Sequence, residues 1–336
     1  MAKNQAATTR STAPQDDLGQ ITAELKAAKD LAAIKEARQN AFSLPQPVSE
    51  RPEIVANQRA AWQSIQYEAA KKGLETGKFD EILARNQADL ARIAEEQRAA
   101  GIKQSAGVLA KFAQAIDGKR QAFEALITAA DDPQPVRVVL EKPFLIWPTQ
   151  GLEFMDANVA PFRSSAKVTL DSGKTQGHEE LGFYFIWRNP SDRIAVVNID
   201  AFLLFSGQLR ASQGGGFWPG SRFAKITVGG RLHVFEWWNH PPTEPFFQVD
   251  QAQTVKTVET HGGGFGDVGA IELESVFRTI ALGYTHFLLP PNAVTVIEVT
   301  PTFDYSTGSD SGHVNADFNS GDFQLMCPFV SIGILT

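Results

Sequence analysis

Residues 131–135, Asp131-Asp132-Pro133-Gln134-Pro135, decide how this chain reads. Before them lie about 130 residues rich in Ala, Gln, Glu, Lys and Arg, and after them about 200 residues rich in Phe, Val, Gly and Trp. Proline lacks a backbone donor and restricts the residue before it, so a helix does not run through this segment. The spacing predicts an α+β two-module chain. A polar tail covers 1–16, an α-helical bundle or coiled coil for assembly or anchoring covers 17–131, and an antiparallel, jelly-roll-like β-sandwich covers 136–336.

Upstream, a first helix is expected over Asp17–Phe42, with Ile21, Leu25, Ala28 and Ala32 as a thin apolar stripe. Asp16 and Asp17 suit the positive end of its dipole, and Ser43-Leu44-Pro45-Gln46-Pro47 ends it. A second helix follows Pro52, with Val55, Gln58, Trp62, Ile65 and Ala69 on one face, and Gly73 and Gly77 break it. Next comes an a/d heptad seam: Phe79, Leu83, Asn86, Leu90, Ile93, Gln97 and Ala100. A second seam, Leu109, Phe112, Ile116, Lys119, Phe123 and Leu126, is out of phase with the first, which predicts a turn or stutter near Gly101–Gly107. Three arrangements answer to these patterns: an intramolecular bundle, a self-associating coiled coil, or a helix laid against the β module. Asn86 and Gln97 favour self-association, because polar seam residues fix register and partner number. The alanine-rich faces are thin, which favours packing against something else.

Downstream, about ten β-branched and aromatic runs are separated by turn signals. Gly229-Gly230 reads as a two-residue hairpin turn, and Asn189-Pro190-Ser191-Asp192 as a turn joining two apolar strands. Four connections are long: Ser212–Arg222, Trp237–Phe247, Thr260–Gly269 and the polar Ser306–Gly321. They carry Trp218, Trp237, Trp238 and His240, which are candidate ligand-binding residues because rigid rings in glycine-rich loops offer contact area at low entropy cost. The alternative is that these tryptophans cap the ends of the sandwich.

The composition excludes several classes. Residues 1–132 carry 18 basic and 18 acidic side chains and residues 133–336 carry 13 and 20, so the net charge of −7 rests on the β module. Such a surface repels phosphate, and no nucleic-acid partner is expected. No apolar run approaches the ~18 residues of a transmembrane helix, and the polar start has no signal-peptide core. The expectation is cytoplasmic synthesis, with release by lysis or in a particle. Cys327 is the single cysteine, which fits a reducing compartment and an inert core thiol.

No catalytic motif emerges. His261-Gly262-Gly263-Gly264 resembles an oxyanion loop, but the only elbow-like pentapeptide, Gly308–Gly312, has Asp310 where the nucleophilic serine belongs. His233, Glu236 and His240 do not share a strand face, so no metal is assigned. Asn315, Asp317, Asn319 and Asp322 fail the EF-hand pattern, with Ser320 at position 6 and Met326 at position 12. Carboxylate pairs such as Glu179-Glu180 and Glu272/Glu274 carry no weight without a separation. No cofactor is expected. The leading expectation is a non-enzymatic component of a virion, phage tail or similar particle, self-associating through its helices. The alternatives are a lectin-like carbohydrate binder and a pore-forming or insecticidal toxin.

Overall fold

The computed structural model describes residues 77–128, 137–216, 222–237, 246–262, 267–308 and 312–335, with scattered positions between 18 and 73. One long helix, α1 (Gly77–Thr128), precedes thirteen strands among the described residues. These are β1 (Arg137–Leu140), β2 (Leu145–Pro148), β3 (Glu153–Asn158), β4 (Ser165–Ser172), β5 (Gln176–Arg188), β6 (Ala195–Gly216), β7 (Arg222–Trp237), β8 (Phe246–Gly262), β9 (Asp267–Leu289), β10 (Val294–Thr307), β11 (Gly312–Phe318), β12 (Gln324–Met326) and β13 (Val330–Leu335). The expected tail over 1–16 lies outside the described residues.

Alternation sets the layers. In β10, Ile297, Val299, Phe303 and Tyr305 point into the core, while Val296, Glu298, Thr300 and Thr302 point the other way. The five-stranded sheet runs β2-β5-β10-β7-β8. An eight-stranded sheet faces it, ordered β1-β13-β6-β11-β4-β12, with β3 on β4 and β9 along the other side of β6. Consecutive strands mostly switch sheets, and buried residues of both layers, Phe183, Phe185 and Phe303 from one and Leu203, Phe205 and Phe318 from the other, meet in one core. This is the antiparallel β-sandwich that the alternation predicts.

Two local expectations are corrected. Gly229-Gly230 makes no turn: β7 passes straight through it with a bulge between Val228 and Gly229. Gly230 faces inward, where an added Cβ would stand 2.4 Å from Ile280 Cδ1, so glycine is there for close packing. The polar stretch 306–321 holds a strand, β11, paired with β4 and β6. Its alternating Val314, Ala316 and Phe318 supply the core side, which the Gly and Asp content disguised. The Asn189 turn does join two strands, but they belong to opposite sheets.

The helix forms neither a bundle nor a coiled coil among the described residues. It runs unbroken through Gly101 and Gly107, for about 78 Å, and lies on the outer face of the eight-stranded sheet. Phe112 and Ile116 pack with Leu204 and Phe329, joined by Leu109, Phe123 and Phe202. Leu109, Phe112, Ile116 and Phe123 of the second heptad seam therefore form the docking stripe, and their partner is a sheet. Gly101 is a point of close approach: a Cβ there would stand 2.1 Å from Gln208 Nε2 and 2.8 Å from Ser275 Oγ. No turn forms at Gly101 because its missing side chain serves the helix–sheet contact.

The expected first helix lies partly within the described residues. Positions 18, 19, 21–23 and 25–27 are helical. Ile21 and Leu25 are buried against Tyr184 and Val296 on the outer face of the five-stranded sheet. Lys26 Nζ stands 4.0 Å from the Trp147 ring centre. Helical segments thus cover part of both outer faces. No helix among the described residues is long and apolar enough to cross a membrane.

Candidate functional site

The outer face of the five-stranded sheet changes character along its length. At one end it is apolar, with Tyr184, Ile186, Val294, Val296 and Phe235 beneath Ile21 and Leu25. At the other end the outward positions of three adjacent strands are polar. Register aligns them in rows: Tyr184, Glu298 and His233; then Thr300 and Arg231; then Glu180, Thr302 and Gly229; then His178, Asp304 and Thr227. Period two on each strand and direct pairing between strands bring these groups together from residues more than 120 positions apart in sequence.

The groups are bound to one another. The Tyr184 hydroxyl donates to Glu298 Oε1 at 3.0 Å, and His233 Nδ1 stands 3.4 Å from Glu298 Oε2. Glu298 is fully buried and His233 nearly so. Arg231 donates to Glu180, and His178 bridges Glu180 at 2.8 Å and Asp304 at 2.6 Å. The Glu180 backbone N–H donates to the Thr149 hydroxyl at 2.9 Å, and that hydroxyl donates to Glu179. Asp304 bonded to His178, and then Glu180, raise the imidazole pKa to about 10 against the opposing effect of burial, so His178 is a cation at neutral pH. Burial, followed by the negative Glu298, pushes the Tyr184 hydroxyl well above its ordinary value, keeping it a donor.

Two polar atoms in this cluster have no partner although they are buried: Arg231 Nε and Thr300 Oγ1, from directly paired residues. The cluster thus holds unspent hydrogen-bonding capacity, which natural interiors seldom leave unmet. The partly exposed His178 and the exposed Asp304 open it to solvent. His178 and Arg231 as cations balance Glu180 and Asp304, and the buried Glu298 adds a further carboxylate, so the patch is dense in donors and acceptors with a negative balance.

The sequence-derived candidates fare differently. Trp218, Trp238 and His240 lie outside the described residues, and Trp237 is described in backbone only, as the last residue of β7 paired with Val294. In the first seam, Phe79 and Leu83 are described in backbone only, Asn86 and Leu90 are half-buried, and Ile93 and Gln97 are exposed. Of the metal-like groupings, Asp317 is engaged by Arg98, Ser320 and two backbone N–H groups. No cluster of three metal-ligating side chains occurs among the described residues. Cys327 is fully buried, and burial alone pushes its thiol pKa up. Sequence reading missed His178, Glu298, Arg231 and Asp304 as a group. The available signal was a polar residue at the outward position of three otherwise apolar strands, such as Glu298 within Val294–Val299.

No family model matches the chain, and no curated protein matches it. Among solved structures, the chain is similar to TmCBM61 in complex with β-1,4-galactotriose, with 10% identity and a TM-score of 0.18, over 55% of this chain and 90% of that one. It is similar to TmCBM27, a carbohydrate-binding module studied for mannan recognition, with 11% identity and a TM-score of 0.22, over 58% and 95%. It is also similar to the enzymatically active domain of bacteriophage CBA120 tailspike protein 4, with 8% identity and a TM-score of 0.21, over 56% of this chain and 19% of that one.

Proposed function

We propose that this chain is a carbohydrate-binding β-sandwich, a binder rather than an enzyme, that receives sugar on the outer face of its five-stranded sheet beside His178, Glu180, Arg231 and Asp304. The observation that carries this reading is the set of rows of interlocked donors and acceptors with the buried, unpartnered Thr300 Oγ1 and Arg231 Nε at its centre. Sugar hydroxyls both donate and accept. A rigid row of alternating carboxylates and N–H donors matches vicinal hydroxyls. Glu180 is held by two cations, which suits orientation better than proton transfer. The test is a glycan array probed with the full chain and with His178→Gln: binding to a defined glycan set that weakens in the variant supports the reading, and an array with no binding refutes it.

A second reading, a self-associating particle component, draws on the first seam. At about 100° per residue its centre lies about 70° around α1 from the docked stripe, and Ile93 on it is 43% exposed. Light scattering on the full chain and on Ile93→Glu tests it: an oligomer reduced to a monomer by the substitution supports it, and a monomeric parent chain removes it.

A further inference from the structure

A cavity of about 450 Å³ lies on the opposite side of the sandwich, where the last third of α1 passes over the eight-stranded sheet. Lys119 and Phe123 come from α1, Arg137 from β1, Asp200 and Phe202 from β6, and Ser331 from β13. Register explains the convergence, because Ser331 pairs directly with Asp200 and Arg137 with Gly333 two residues along. Below this region Phe112 and Ile116 close tightly on Leu204 and Phe329.

The lining is unusual in its charges. Lys119 Nζ sits 3.9 Å from the Phe202 ring centre, and the Arg137 guanidinium carbon sits 5.6 Å from that of Phe123. Each cation is thus held by an aromatic face, and neither makes an ion pair among the described residues. Ser331 is 2% exposed, and its hydroxyl has no hydrogen-bond partner. Leaving a hydroxyl buried and unpaired is costly, and a ligand accepting or donating there offsets that cost. The volume falls within the ~300–1,000 Å³ of small-molecule sites.

We propose that this cavity binds a small organic carboxylate with an apolar body. Its anionic head is held by Lys119 and Arg137, with the Ser331 hydroxyl donating, and its body lies between Phe123 and Phe202. Two cations against the single carboxylate of Asp200 give the cavity a positive balance, so it selects anions over amines. The site does not depend on the carbohydrate reading, since it lies on the other sheet.

The experiment is calorimetric and ligand-observed NMR titration of the full chain with phenylacetate, and with phenethylamine as the cationic counterpart. Saturable phenylacetate binding is expected, at least about tenfold tighter than the amine. Arg137→Gln and Lys119→Gln each weaken it about tenfold, while thermal midpoints stay near that of the parent because both side chains are exposed. Ser331→Ala weakens it less. Absence of phenylacetate binding, equal binding of the amine, or binding unchanged in both charge variants would overturn the proposal.

Discussion

Arg98 and Asp317 lie 219 residues apart, yet Nη2 and Nε of the arginine donate to one carboxylate oxygen at 3.0 and 3.2 Å. The same carboxylate accepts from the Ser320 hydroxyl at 2.6 Å and from the backbone N–H groups of Asn319 and Ser320. One aspartate therefore organises the turn after β11 and fastens α1 to it.

Removing that aspartate releases both. Asp317→Ala is expected to cost about 1–3 kcal/mol, since buried donors lose their acceptor. Arg98→Ala costs less, about 0.5–1 kcal/mol, because Arg98 is 42% exposed and screened by solvent. Burial alone would raise the Asp317 pKa, but the hydrogen bonds from Ser320, Asn319 and Arg98 outweigh it and hold the carboxyl below its ordinary value. Its contribution is complete above that ordinary value and is lost as pH falls through the lowered one. Chemical denaturation at pH 7 and at pH 3 checks this: Asp317→Asn narrows the difference between the two.

Two helical glycines have opposite roles. Gly101→Leu drives a side chain into Gln208, which is itself bonded to the Gln97 carbonyl and to Ser275 at 3.2 Å each. Overpacking of this kind costs about 1–3 kcal/mol and should expose α1 to limited proteolysis. Gly107 has nothing within 4 Å of an added Cβ. Gly107→Ala should therefore stabilise the chain by about 0.5–1 kcal/mol through helix propensity. Equal effects at the two sites would contradict the docking geometry.

Glu298 is the acceptor at the head of the polar rows. Glu298→Ala leaves the buried Tyr184 hydroxyl without its acceptor and removes the carboxylate beside His233, and is expected to cost about 3–5 kcal/mol. Glu298→Gln keeps one acceptor and costs less. Urea unfolding of the three proteins ranks them.

His178 contributes a pH dependence of its own. Its folded pKa of about 10 exceeds the ordinary 6.5, so its stabilising effect is complete below 6.5 and is lost as pH rises through about 10. Thermal midpoints should fall between pH 7 and pH 10, and fall less in His178→Gln. Sugar binding should hold steady from pH 6 to pH 8, because the imidazolium does not titrate there.

The β-sandwich was legible because alternation and turn residues act locally. Glycine was less so: Gly229-Gly230 and Gly101 read as turns, since a residue without a side chain serves a turn and a close approach equally well. Strand β11 was hidden because its outward positions are Asn315 and Asp317 and only Val314, Ala316 and Phe318 face the core. The docking stripe of α1 was visible as the second seam, but a heptad pattern does not say whether its partner is a helix or a sheet. The polar rows were illegible because they depend on the register of β5, β10 and β7, which are far apart in the chain.

The most direct test of the carbohydrate-binding reading is titration of the full chain with the strongest glycan from an array, repeated with Asp304→Ala and with Lys119→Gln. Asp304 is exposed at the open edge of the rows, so its loss leaves the fold in place, and Lys119 lies on α1, against the other sheet. The account predicts saturable binding, weakened about tenfold or more by Asp304→Ala and unchanged by Lys119→Gln. Binding untouched by Asp304→Ala, or no binding by the parent chain, would contradict it.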